Sequence, residues 1–468
     1  MRQIRLLIYL LVTSCTLTGV SANTVAELFQ HHHQTQLLMD IEVAMARAQA
    51  KHDVIPAWAA EEIMAKADAA LITEEALAAE FSVVRHRMVA FLKVWGREMD
   101  KGAEQYVHFG ATTVDIYDTL LVLQLLESLD IFINDLRTIE EQLMVMAEQY
   151  KATPMVGRTL GQHALPITLG KKFSGWLAEN RRNIERLKDV RLKLRQSAIL
   201  KGAVGSYLGL GDKAMLVERD FAEFLKLDRP YADDWHGSRD VFAEYAQVLA
   251  LISKSFNRWG QEVFLLQSTD IAELKEVRPG SAVSSSSMPH KNNPSRSEAL
   301  IYHGRLIPRL AEVALDDVVN FYERDNTSRS NRNLSKLAIA AASMFSDAKI
   351  LISRISVNEE AMLVNLYKTD GMLTAKRLVY ALAPDMGKAT ANEHVIVLAR
   401  KAQSSNQSFV DVLLADNTIQ QYLNEQQIRA LVDPITYQGL DSELVDAVIM
   451  QVKAARKHDP VSNAAAIP

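Results

Sequence analysis

A run of serines followed by a cation and an amide is the part of this chain best suited to chemistry. Residues 284–294 read Ser-Ser-Ser-Ser-Met-Pro-His-Lys-Asn-Asn-Pro. Serine side chains compete for backbone hydrogen bonds and disfavour helix, so we predict a loop that ends at Pro294. In this loop Lys291 and Asn293 could hold a carboxylate while a serine hydroxyl reacts. The competing interpretation is a flexible, solvated serine-rich linker.

A second segment, residues 107–115, combines a histidine with adjacent hydroxyl groups. It reads Val-His-Phe-Gly-Ala-Thr-Thr-Val-Asp and contains His108, Thr112 and Thr113. The sequence Thr-Thr-Val-Asp is similar to a capping box, which predicts that a helix begins here. Hydroxyls beside the unpaired N–H groups of a helix start favour an anionic group. A loop and helix cap without a ligand is the simpler alternative.

Histidine occurs in two further patterns. Residues 157–166 read Gly-Arg-Thr-Leu-Gly-Gln-His-Ala-Leu-Pro, in which His163 could donate a proton. A structural histidine with one satisfied ring nitrogen is the alternative for that residue. The run at 31–33 is His-His-His, but adjacent side chains point in different directions and serve one metal ion poorly. We interpret this run as solvent-exposed, and no Cys/His pair has zinc spacing.

Arginines supply the remaining candidates for anion binding. Arg239 lies in Trp-His-Gly-Ser-Arg-Asp and could orient a site or form a structural ion pair with Asp240. Arg329 and Arg332 follow Glu-Arg-Asp at 323–325. Either could clamp a carboxylate, and the alternative is a charged helix end.

Long helical stretches must position these residues. Residues 111–153 contain no Gly and no Pro. Their apolar residues recur at helical intervals and cover nearly all faces of the predicted helix. A helix of that kind is expected to be buried in a bundle. We therefore predict an all-α fold with a central bundle. The predicted long helices span residues 111–153, 167–201, 241–268, 295–324 and 334–366.

The helical pattern divides the chain after residue 22 into three predicted domains. Residues 23–111 are a smaller N-terminal helical domain. Residues 112–366 are the central long-helix domain, which contains the candidate catalytic loop 279–294. Residues 367–468 are a C-terminal helical domain.

The first 22 residues differ in character from the rest of the chain. A basic start is followed by an apolar stretch from Leu6 to Val12 and by Val-Ser-Ala at 20–22. This order is typical of a secretory signal peptide, so we expect an exported, periplasmic protein. Cys15, the single cysteine, follows Val-Thr-Ser in a sequence similar to a lipobox, and a lipid-anchored form is the alternative.

Composition sets limits on the partners of this protein. The chain has 468 residues, of which 48% are hydrophobic and 23% are charged, as in ordinary globular proteins. The formal net charge of -5 gives no indication of nucleic-acid binding. No internal run is long and apolar enough to predict a membrane span.

The motifs resemble those of one enzyme superfamily. Residues 284–294 closely resemble the signature Gly-Ser-Ser-x-Met-Pro-x-Lys-x-Asn-Pro of the fumarase/aspartase superfamily, and residues 107–115 resemble its His-x-Gly-x-Thr-Ser-x-Asp segment. Ser284 stands where this superfamily usually has Gly, and Asn292 where adenylosuccinate lyases and 3-carboxy-cis,cis-muconate cycloisomerases usually have Arg. Leu160 stands where many relatives carry the histidine that protonates the leaving group, and the cycloisomerases also lack that histidine.

This resemblance implies roles for particular residues and a form of assembly. It implies a small polycarboxylate substrate, no metal or organic cofactor, and a homotetramer with shared active sites and a twenty-helix core. The implied catalytic residues are Ser285, His108 and His163. The implied substrate-binding residues are Thr112, Thr113, Gln162, Ser286, Lys291, Asn293, Arg239, Arg329 and Arg332.

The implied reaction is a reversible β-elimination. A base takes a proton from the carbon beside a carboxylate, the dianion that results needs strong electrostatic stabilisation, and a group on the next carbon departs. The leading hypothesis is a lyase or cycloisomerase similar to 3-carboxy-cis,cis-muconate cycloisomerase, acting on a fumarate-like or succinyl-bearing polycarboxylate. One alternative is an adenylosuccinate-lyase-type C–N lyase. Another is a non-catalytic exported relative that binds carboxylates.

Overall fold

The chain divides into two compact units, and each is described here by itself. The computed structural model describes residues 24–280, 285 and 287–459, so the proposed signal peptide lies outside the described residues. The three-domain division stays a prediction. Unit 1 comprises Met1–Ile133, Arg186–Leu251 and Leu306–Ser343, and unit 2 comprises Asn134–Glu185, Ile252–Arg305 and Met344–Pro468.

Short helices begin unit 1 and enclose a hydrophobic cluster that includes Met45 and Trp95. The histidine run lies at the start of the first helix, where only His32 is exposed. The expectation of an exposed run was wrong for His31, which is half-buried, and for His33, which is buried and pairs with Glu127 at 3.0 Å. These helices are α1 (His31–Lys51), α2 (Ala57–Ala65), α3 (Glu74–Val84) and α4 (Arg87–Gly96).

The long apolar helix predicted over 111–153 is present as α5, Thr113–Gln149. Its 37 residues correspond to about 55 Å at 1.5 Å per residue. The apolar positions that predicted it are nearly all buried, from Leu120 to Leu143. Burial of that kind agrees with the prediction of an all-α fold, which is confirmed: 67% of the structure is helical, with little sheet.

The middle of the chain continues with long helices and short strands. The elements in order are β1 (Pro154–Thr159), β2 (Gln162–Thr168), α6 (Leu169–Arg195), α7 (Ala214–Phe224), α8 (Asp240–Leu266), β3 (Leu274–Glu276), α9 (Ser295–Asp316), α10 (Ser330–Ser353), β4 (Ile355–Val357) and α11 (Glu359–Tyr367). Strands β1 and β2 form one antiparallel pair, and β3 and β4 form another.

The helix predicted over 334–366 is wrong in its second half. Helix α10 ends at Ser353, and β4 then pairs with β3, with Leu274 opposite Val357. Asn358 next caps α11 by accepting a hydrogen bond from the Ala361 N–H at 3.2 Å. The helix predicted over 295–324 likewise ends earlier, at Asp316.

Buried polar side chains connect the long helices within each unit. In unit 1 the hydroxyls of Ser128 on α5 and Tyr245 on α8 are 2.8 Å apart. In unit 2 the Asn180 amide of α6 donates to the Leu136 carbonyl of α5 at 2.8 Å. Buried amides and hydroxyls need partners, so such bonds fix the register of neighbouring helices. No helix in the described part of the chain is long and apolar enough to cross a membrane.

The chain ends in shorter helices of unit 2, whose core includes Leu378, Phe409 and Ile428. They are α12 (Ala375–Met386), α13 (Lys388–Ser405), α14 (Phe409–Leu414), α15 (Asn417–Gln420), α16 (Glu425–Val432) and α17 (Asp441–Arg456). Single turns of 3-10 helix occur at Glu27–Phe29, Ala69–Leu71, Ala103–Tyr106, Met372–Thr374 and Pro434–Thr436.

Candidate active site

Two loops of unit 1 meet at the start of α5 and form what we call the cradle, residues 108–112 and 201–209. Gly110 has a φ of +76°, and a Cβ added to it would lie 2.2 Å from the Gly209 carbonyl oxygen. Only a glycine fits so close an approach of two backbones with a left-handed φ. The glycine of the motif is therefore needed to bring the two loops together.

The carboxylate of Asp115 connects the two loops of the cradle. Its buried carboxylate accepts hydrogen bonds from the backbone N–H groups of Thr112 at 2.8 Å, Lys201 at 3.0 Å and Gly202 at 3.1 Å. The bond from Thr112 is the part of a capping box in which the third helical residue accepts from the N-cap. The predicted cap is thus present, and the same carboxylate also anchors a loop that lies far away in sequence.

The cradle encloses a cavity of about 200 Å³. Its lining consists of three glycines, two alanines, Ser206 and Thr112, together with Lys201, Val204 and Leu208. The Lys201 ammonium donates hydrogen bonds to the Glu218 carboxylate at 2.9 Å and to the Tyr207 hydroxyl at 2.6 Å. Thr113, the first residue of α5, follows Thr112 in the chain and is half-buried. A wall of this kind, at the positive end of a long helix, suits a carboxylate.

Arg324 is a candidate site residue that the sequence analysis did not select. Its guanidinium donates to the Thr112 hydroxyl at 3.5 Å and to the Ala203 carbonyl at 3.3 Å, so a cation lies at the cradle. The Glu-Arg-Asp at 323–325 was the available signal. The resemblance instead favoured the arginines that follow this triplet, Arg329 and Arg332.

The preferred arginines lie elsewhere in unit 1. The Arg329 guanidinium donates to the backbone carbonyls of Asn326 and, at 2.9 Å, of Ser328. Arg332 is exposed and lines a second, larger cavity rather than the cradle. Their assignment as substrate-binding residues stays a prediction.

His108 lies in the cradle loop with a left-handed φ of +60°. Its Nδ1 is 2.7 Å from one carboxylate oxygen of Glu42, and its backbone N–H donates to the other oxygen at 2.9 Å. Burial alone would lower the pKa of the His108 imidazole, but the hydrogen bond and charge of Glu42 outweigh burial and raise it. Glu42 therefore favours the protonated form of the His108 imidazole.

Replacing Glu42 by Gln should bring the pKa of His108 below the ordinary value of 6.5, because burial then dominates. In the wild type this pair contributes stability below pH 6.5, and the contribution is lost as the pH rises through the raised pKa. An NMR titration of the imidazole measures the change. Glu80→Gln, which removes a surface partner of Lys93 and Arg97, is the matched control and should leave the His108 titration in place. An unchanged titration in Glu42→Gln would contradict the prediction.

Asp115 also belongs to a buried ion network, which includes His236, Asp118 and Arg239. His236 is 1% exposed, with Nε2 3.0 Å from Asp115 and Nδ1 2.8 Å from Asp118. Burial works against the charged imidazole, but hydrogen bonds to both carboxylates prevail and raise the pKa of His236 to about 9. At neutral pH His236 is therefore a cation between two anions.

The pairing of Arg239 with Asp240 considered from the sequence is not what the structure has. The Arg239 guanidinium is buried and donates to Asp118, while Asp240 accepts from the Ser238 hydroxyl at 3.0 Å. Arg239 also donates to the Ser330 hydroxyl at 3.3 Å. Its contacts orient the network below the cradle, and its predicted contact with substrate is untested.

In unit 2 the serine-rich loop is attached to the fold by Glu276 of β3. The buried Glu276 carboxylate accepts from the N–H groups of Arg296 at 3.1 Å and Ser297 at 2.8 Å, and from the Ser297 hydroxyl at 2.6 Å. These groups belong to the first turn of α9, where an anion is favoured by the helix dipole. Glu276, which precedes the loop, thus caps α9, which follows it, and this contact fixes the two ends of the loop together.

The candidate residues of this loop differ in exposure. Ser285 is half-buried, and its Oγ accepts a hydrogen bond from the Met288 N–H at 3.1 Å. A donor to Oγ favours the alkoxide over the hydroxyl, as a base requires. Lys291 is exposed and Asn293 is half-buried, with the Asn293 carbonyl accepting from Arg278 at 2.7 Å. Ser286 lies outside the described residues.

Strands β1 and β2 of unit 2 form a hairpin with Leu160 and Gly161 at its tip. Both tip residues have positive φ, +52° and +76°, as a two-residue type I′ turn requires. Leu160 is 99% exposed. Gln162 is exposed next to the tip, and His163 is half-buried opposite Arg158. Burial and then the charge of Arg158 lower the pKa of His163, so its imidazole is mainly neutral at pH 7.

Replacing Leu160 by Asn should raise the free energy of unfolding by about 0.5–1 kcal/mol, because Asn adopts a left-handed φ at lower cost than Leu. Thermal or denaturant unfolding at fixed protein concentration measures the gain. The control is Leu165→Asn in β2, where the leucine is 48% exposed and φ is not positive, so no gain is expected. Equal effects of the two substitutions would show that backbone strain at the tip is not the cause.

Residues close to the tip also form a rigid ion pair. Arg158 of β1 makes two hydrogen bonds to Glu273, at 2.7 and 2.8 Å, and the Glu273 carboxylate is fully buried. The Asn365 amide donates to the same carboxylate at 2.9 Å. Among the residues that the structure describes, no group of three or more His, Cys, Asp or Glu side chains is placed to hold a metal ion.

Comparison with known proteins agrees with this architecture. The Lyase family profile matches residues 18–307, and the profile named Adenylosuccinate lyase C-terminus matches residues 371–448. A 3-carboxy-cis,cis-muconate lactonizing enzyme from Pseudomonas putida has a similar structure, with a TM-score of 0.85 and 30% sequence identity, covering 94% of this chain and 99% of that one.

Curated relatives cover nearly the whole chain. Adenylosuccinate lyase of Methanocaldococcus jannaschii is 34% identical over 91% of this chain and 93% of its own length. N-acetyl-S-(2-succino)cysteine lyase of Enterococcus italicus is 33% identical over 87% and 90%, and 3-carboxy-cis,cis-muconate cycloisomerase of Acinetobacter baylyi is 31% identical over 92% and 97%. The chain therefore belongs to the lyase family and is an enzyme of the fumarase/aspartase superfamily.

Proposed function

We propose that this enzyme catalyses reversible β-elimination from a polycarboxylate, with a leaving group that departs as an anion. Ser285, as an alkoxide favoured by the Met288 N–H, takes the proton from the carbon beside a carboxylate. The electrons of that C–H bond form the new double bond, and the electrons of the broken bond leave with the departing group. Fumarate or a fumarate-like acid, the released anion and the proton on Ser285 balance the step.

The observation that carries this proposal is the tip of the β1–β2 hairpin. The resemblance puts this tip at the leaving group, and the side chain there is the fully exposed Leu160, which has no proton to give. An amine that receives no proton would have to leave as a strongly basic amide anion, so it needs a proton donor, whereas a carboxylate, whose conjugate acid has a pKa of about 4, departs as an anion without one. A thiolate, at about 8.5, is intermediate. Because the imidazole of His163 is mainly neutral, it is a weak substitute for the proton donor that is missing at position 160.

The leading candidate is a cycloisomerase-like reaction on a substrate similar to 3-carboxy-cis,cis-muconate, in which the leaving group of the reverse reaction is a carboxylate. The second candidate is release of a thiol from a succinylated sulfur, as the name of the Enterococcus italicus relative suggests. The adenylosuccinate-type C–N reaction ranks below both because the leaving amine would lack a proton donor at Leu160.

A substrate panel tests the proposal. Purified enzyme is mixed with 3-carboxy-cis,cis-muconate, N-acetyl-S-(2-succino)cysteine and adenylosuccinate, and ultraviolet absorbance is followed. Loss of the muconate absorbance supports the cycloisomerase-like reaction, and fumarate released from the thioether supports the thiol lyase. Rapid fumarate release from adenylosuccinate would overturn the proposal of an anionic leaving group. Carboxylate binding without turnover of any of the three substrates would contradict these substrate assignments.

We propose further that the cradle residues and the serine loop serve one substrate in a homotetramer with shared sites. The resemblance implies that Thr112 and Ser285 act on the same substrate, which supports this proposal. Analytical ultracentrifugation measures the assembly. Mixing two inactive variants, Thr112→Val and Ser285→Ala, should recover part of the activity if each site combines residues from different protomers. A monomer, or a mixture that stays inactive after exchange of subunits, would contradict this proposal.

Export is the last part of the proposed function and rests on the pattern of residues 1–22. The expected mature protein begins at Asn23 and is recovered from the periplasm. Mass spectrometry of the N-terminus of the native protein tests this. A lipid on Cys15, abolished in Cys15→Ser, would show the anchored form, and an intact Met1 in a cytosolic fraction would overturn export.

A further inference from the structure

A cavity of about 580 Å³ in unit 1 is lined by apolar residues and two arginines, although the net charge of the chain is negative. Its inner wall is apolar and buried, with Leu38, Phe91 and Leu120 each below 10% exposure. Phe29 and Leu77 extend this apolar wall. Among the described residues that line the cavity there is no Asp or Glu. The cavity therefore suits a ligand with an apolar body.

Two cations lie at the same cavity. Arg87 opens α4, Arg332 lies in the first turn of α10, and both line the cavity. Within the described part of the chain, neither guanidinium forms an ion pair with a carboxylate. Guanidinium groups bind carboxylates and phosphates through paired hydrogen bonds. An apolar wall beside two such groups selects an amphipathic anion.

A buried histidine nitrogen also points to a ligand. His31 lines the cavity, and its Nδ1 is 3.5 Å from the Thr35 hydroxyl. Its Nε2 is buried and has no hydrogen-bond partner among the described residues. Buried polar atoms normally have a partner, so this nitrogen is placed to meet a polar atom of a bound molecule.

Helix α5 connects this cavity to the cradle. Tyr117, Leu120 and Gln124 line the cavity, and together with Thr113 they follow the i, i+4, i+7, i+11 spacing of one helical face. Thr113 and Tyr117 are four residues apart, which is about 6 Å along the axis. The cradle, at Thr112, and the nearest lining residue of the cavity, Tyr117, are therefore between one and two turns of α5 apart.

We propose that the cavity binds the part of the substrate that lies beyond its fumarate half. This part is an apolar or unsaturated group with its own carboxylate, which Arg87 and Arg332 bind while Phe91 and Leu120 contact its body. The inference rests on the proposed function for the identity of the fumarate half. The two arginines thereby determine which polycarboxylates the enzyme accepts.

Direct binding tests this proposal without any need for turnover. Isothermal titration calorimetry of the purified protein with hydrocinnamate, an apolar carboxylate, should show binding, and the uncharged hydrocinnamamide should bind at least tenfold more weakly. Arg87→Gln and Arg332→Gln should each weaken hydrocinnamate binding at least fivefold. Ala78→Trp, at an exposed position on the cavity wall, should block binding without disturbing the fold. Arg309→Gln, an exposed arginine outside the cavity, is the control and should change nothing.

A second ligand tests the connection to the cradle. Phenylalanine with a succinate on its amino nitrogen should bind more tightly than hydrocinnamate or fumarate alone. Thr112→Val should weaken this ligand and fumarate but not hydrocinnamate, whereas Arg87→Gln should weaken this ligand and hydrocinnamate but not fumarate. Equal binding of hydrocinnamate and its amide, or no effect of either arginine, overturns the proposal, as does a combined ligand that binds no better than its parts. An enzyme inactive on every substrate but with these binding patterns would remove the proposed reaction and leave the cavity assignment standing.

Discussion

Replacing Ser285 by Ala should lower kcat by about 10²–10⁴-fold, the range typical of a lost general base. We expect this loss because the substitution removes Oγ, the proposed base, which accepts a hydrogen bond from the Met288 N–H at 3.1 Å on a half-buried residue. The substitution removes a hydroxyl from a loop and no core contact, so the melting temperature should stay within experimental error. Initial rates on the substrate that the panel identifies, together with thermal unfolding of the same samples, make the measurement.

Ser287→Ala is the matched control for this experiment. Ser287 lies in the same loop, two residues on, and is exposed. The same chemical change there should leave kcat within about twofold, as surface substitutions usually do. Similar losses in both variants would mean that the loop as a whole matters and that Ser285 is not the base. Full activity of Ser285→Ala would place the base elsewhere.

Replacing Asp118 by Asn should lower the free energy of unfolding by about 3–5 kcal/mol, the range for breaking a buried ion pair by removing one partner. Asp118 is 2% exposed and neutralises both His236 and Arg239. Burial alone would raise the pKa of the Asp118 carboxyl, but the charge of Arg239 and the bond to His236 hold it below its usual range. Among the described residues, asparagine leaves Arg239 without a carboxylate partner and leaves His236 with Asp115 alone. Denaturant unfolding at fixed protein concentration measures the loss.

Asp130→Asn provides the comparison on the same helix. Asp130 also pairs with an arginine, Arg191 at 2.6 Å, but its side chain is 51% exposed. Exposed pairs contribute about 0–1 kcal/mol, so this variant should be nearly as stable as the wild type. A similar loss in both variants would mean that burial of the network is not what makes Asp118 important.

The same network predicts a dependence of stability on pH. The folded pKa of His236 is about 9 against an ordinary 6.5, so its contribution to stability is complete below pH 6.5 and is lost as the pH rises through 9. A shift of that size corresponds to roughly 3 kcal/mol. His236→Gln should be less stable than the wild type at pH 6.5, and the difference should shrink toward pH 9. A difference that does not change over this range would contradict a charged His236.

The network also explains why the cradle keeps its shape. Asp115 binds the loop at Thr112 and the loop at Gly202, and His236 fixes the orientation of Asp115 by its Nε2 at 3.0 Å. Changes at Asp118 are therefore expected to reach the cradle through His236. This connection links the stability of unit 1 to the shape of the cradle.

Local sequence patterns predicted the parts of this protein that depend on neighbours along the chain. The period of apolar residues located α5 within a few residues of its ends, and the Thr-Thr-Val-Asp pattern located its cap at Thr112 and Asp115. The order of residues in 284–294 identified the superfamily, which the relatives confirm. Each of these depends on a helix repeat or on a motif shorter than 15 residues, and both can be read along the chain.

The tertiary structure decided the contacts between distant residues. Arg324 reaches Thr112 across 212 positions, and His236 reaches Asp118 across 118, so no local period could select them from the other arginines and carboxylates. The pairing of β3 with β4 likewise ended the predicted fifth helix at Ser353. Helix periodicity depends on hydrogen bonds four residues apart, whereas ion pairs and sheet pairing depend on how elements pack. The sequence by itself therefore determined the family, the position of the long helices and the serine-rich loop, and the packing of unit 1 determined the cradle, its cation and the buried charges that hold it.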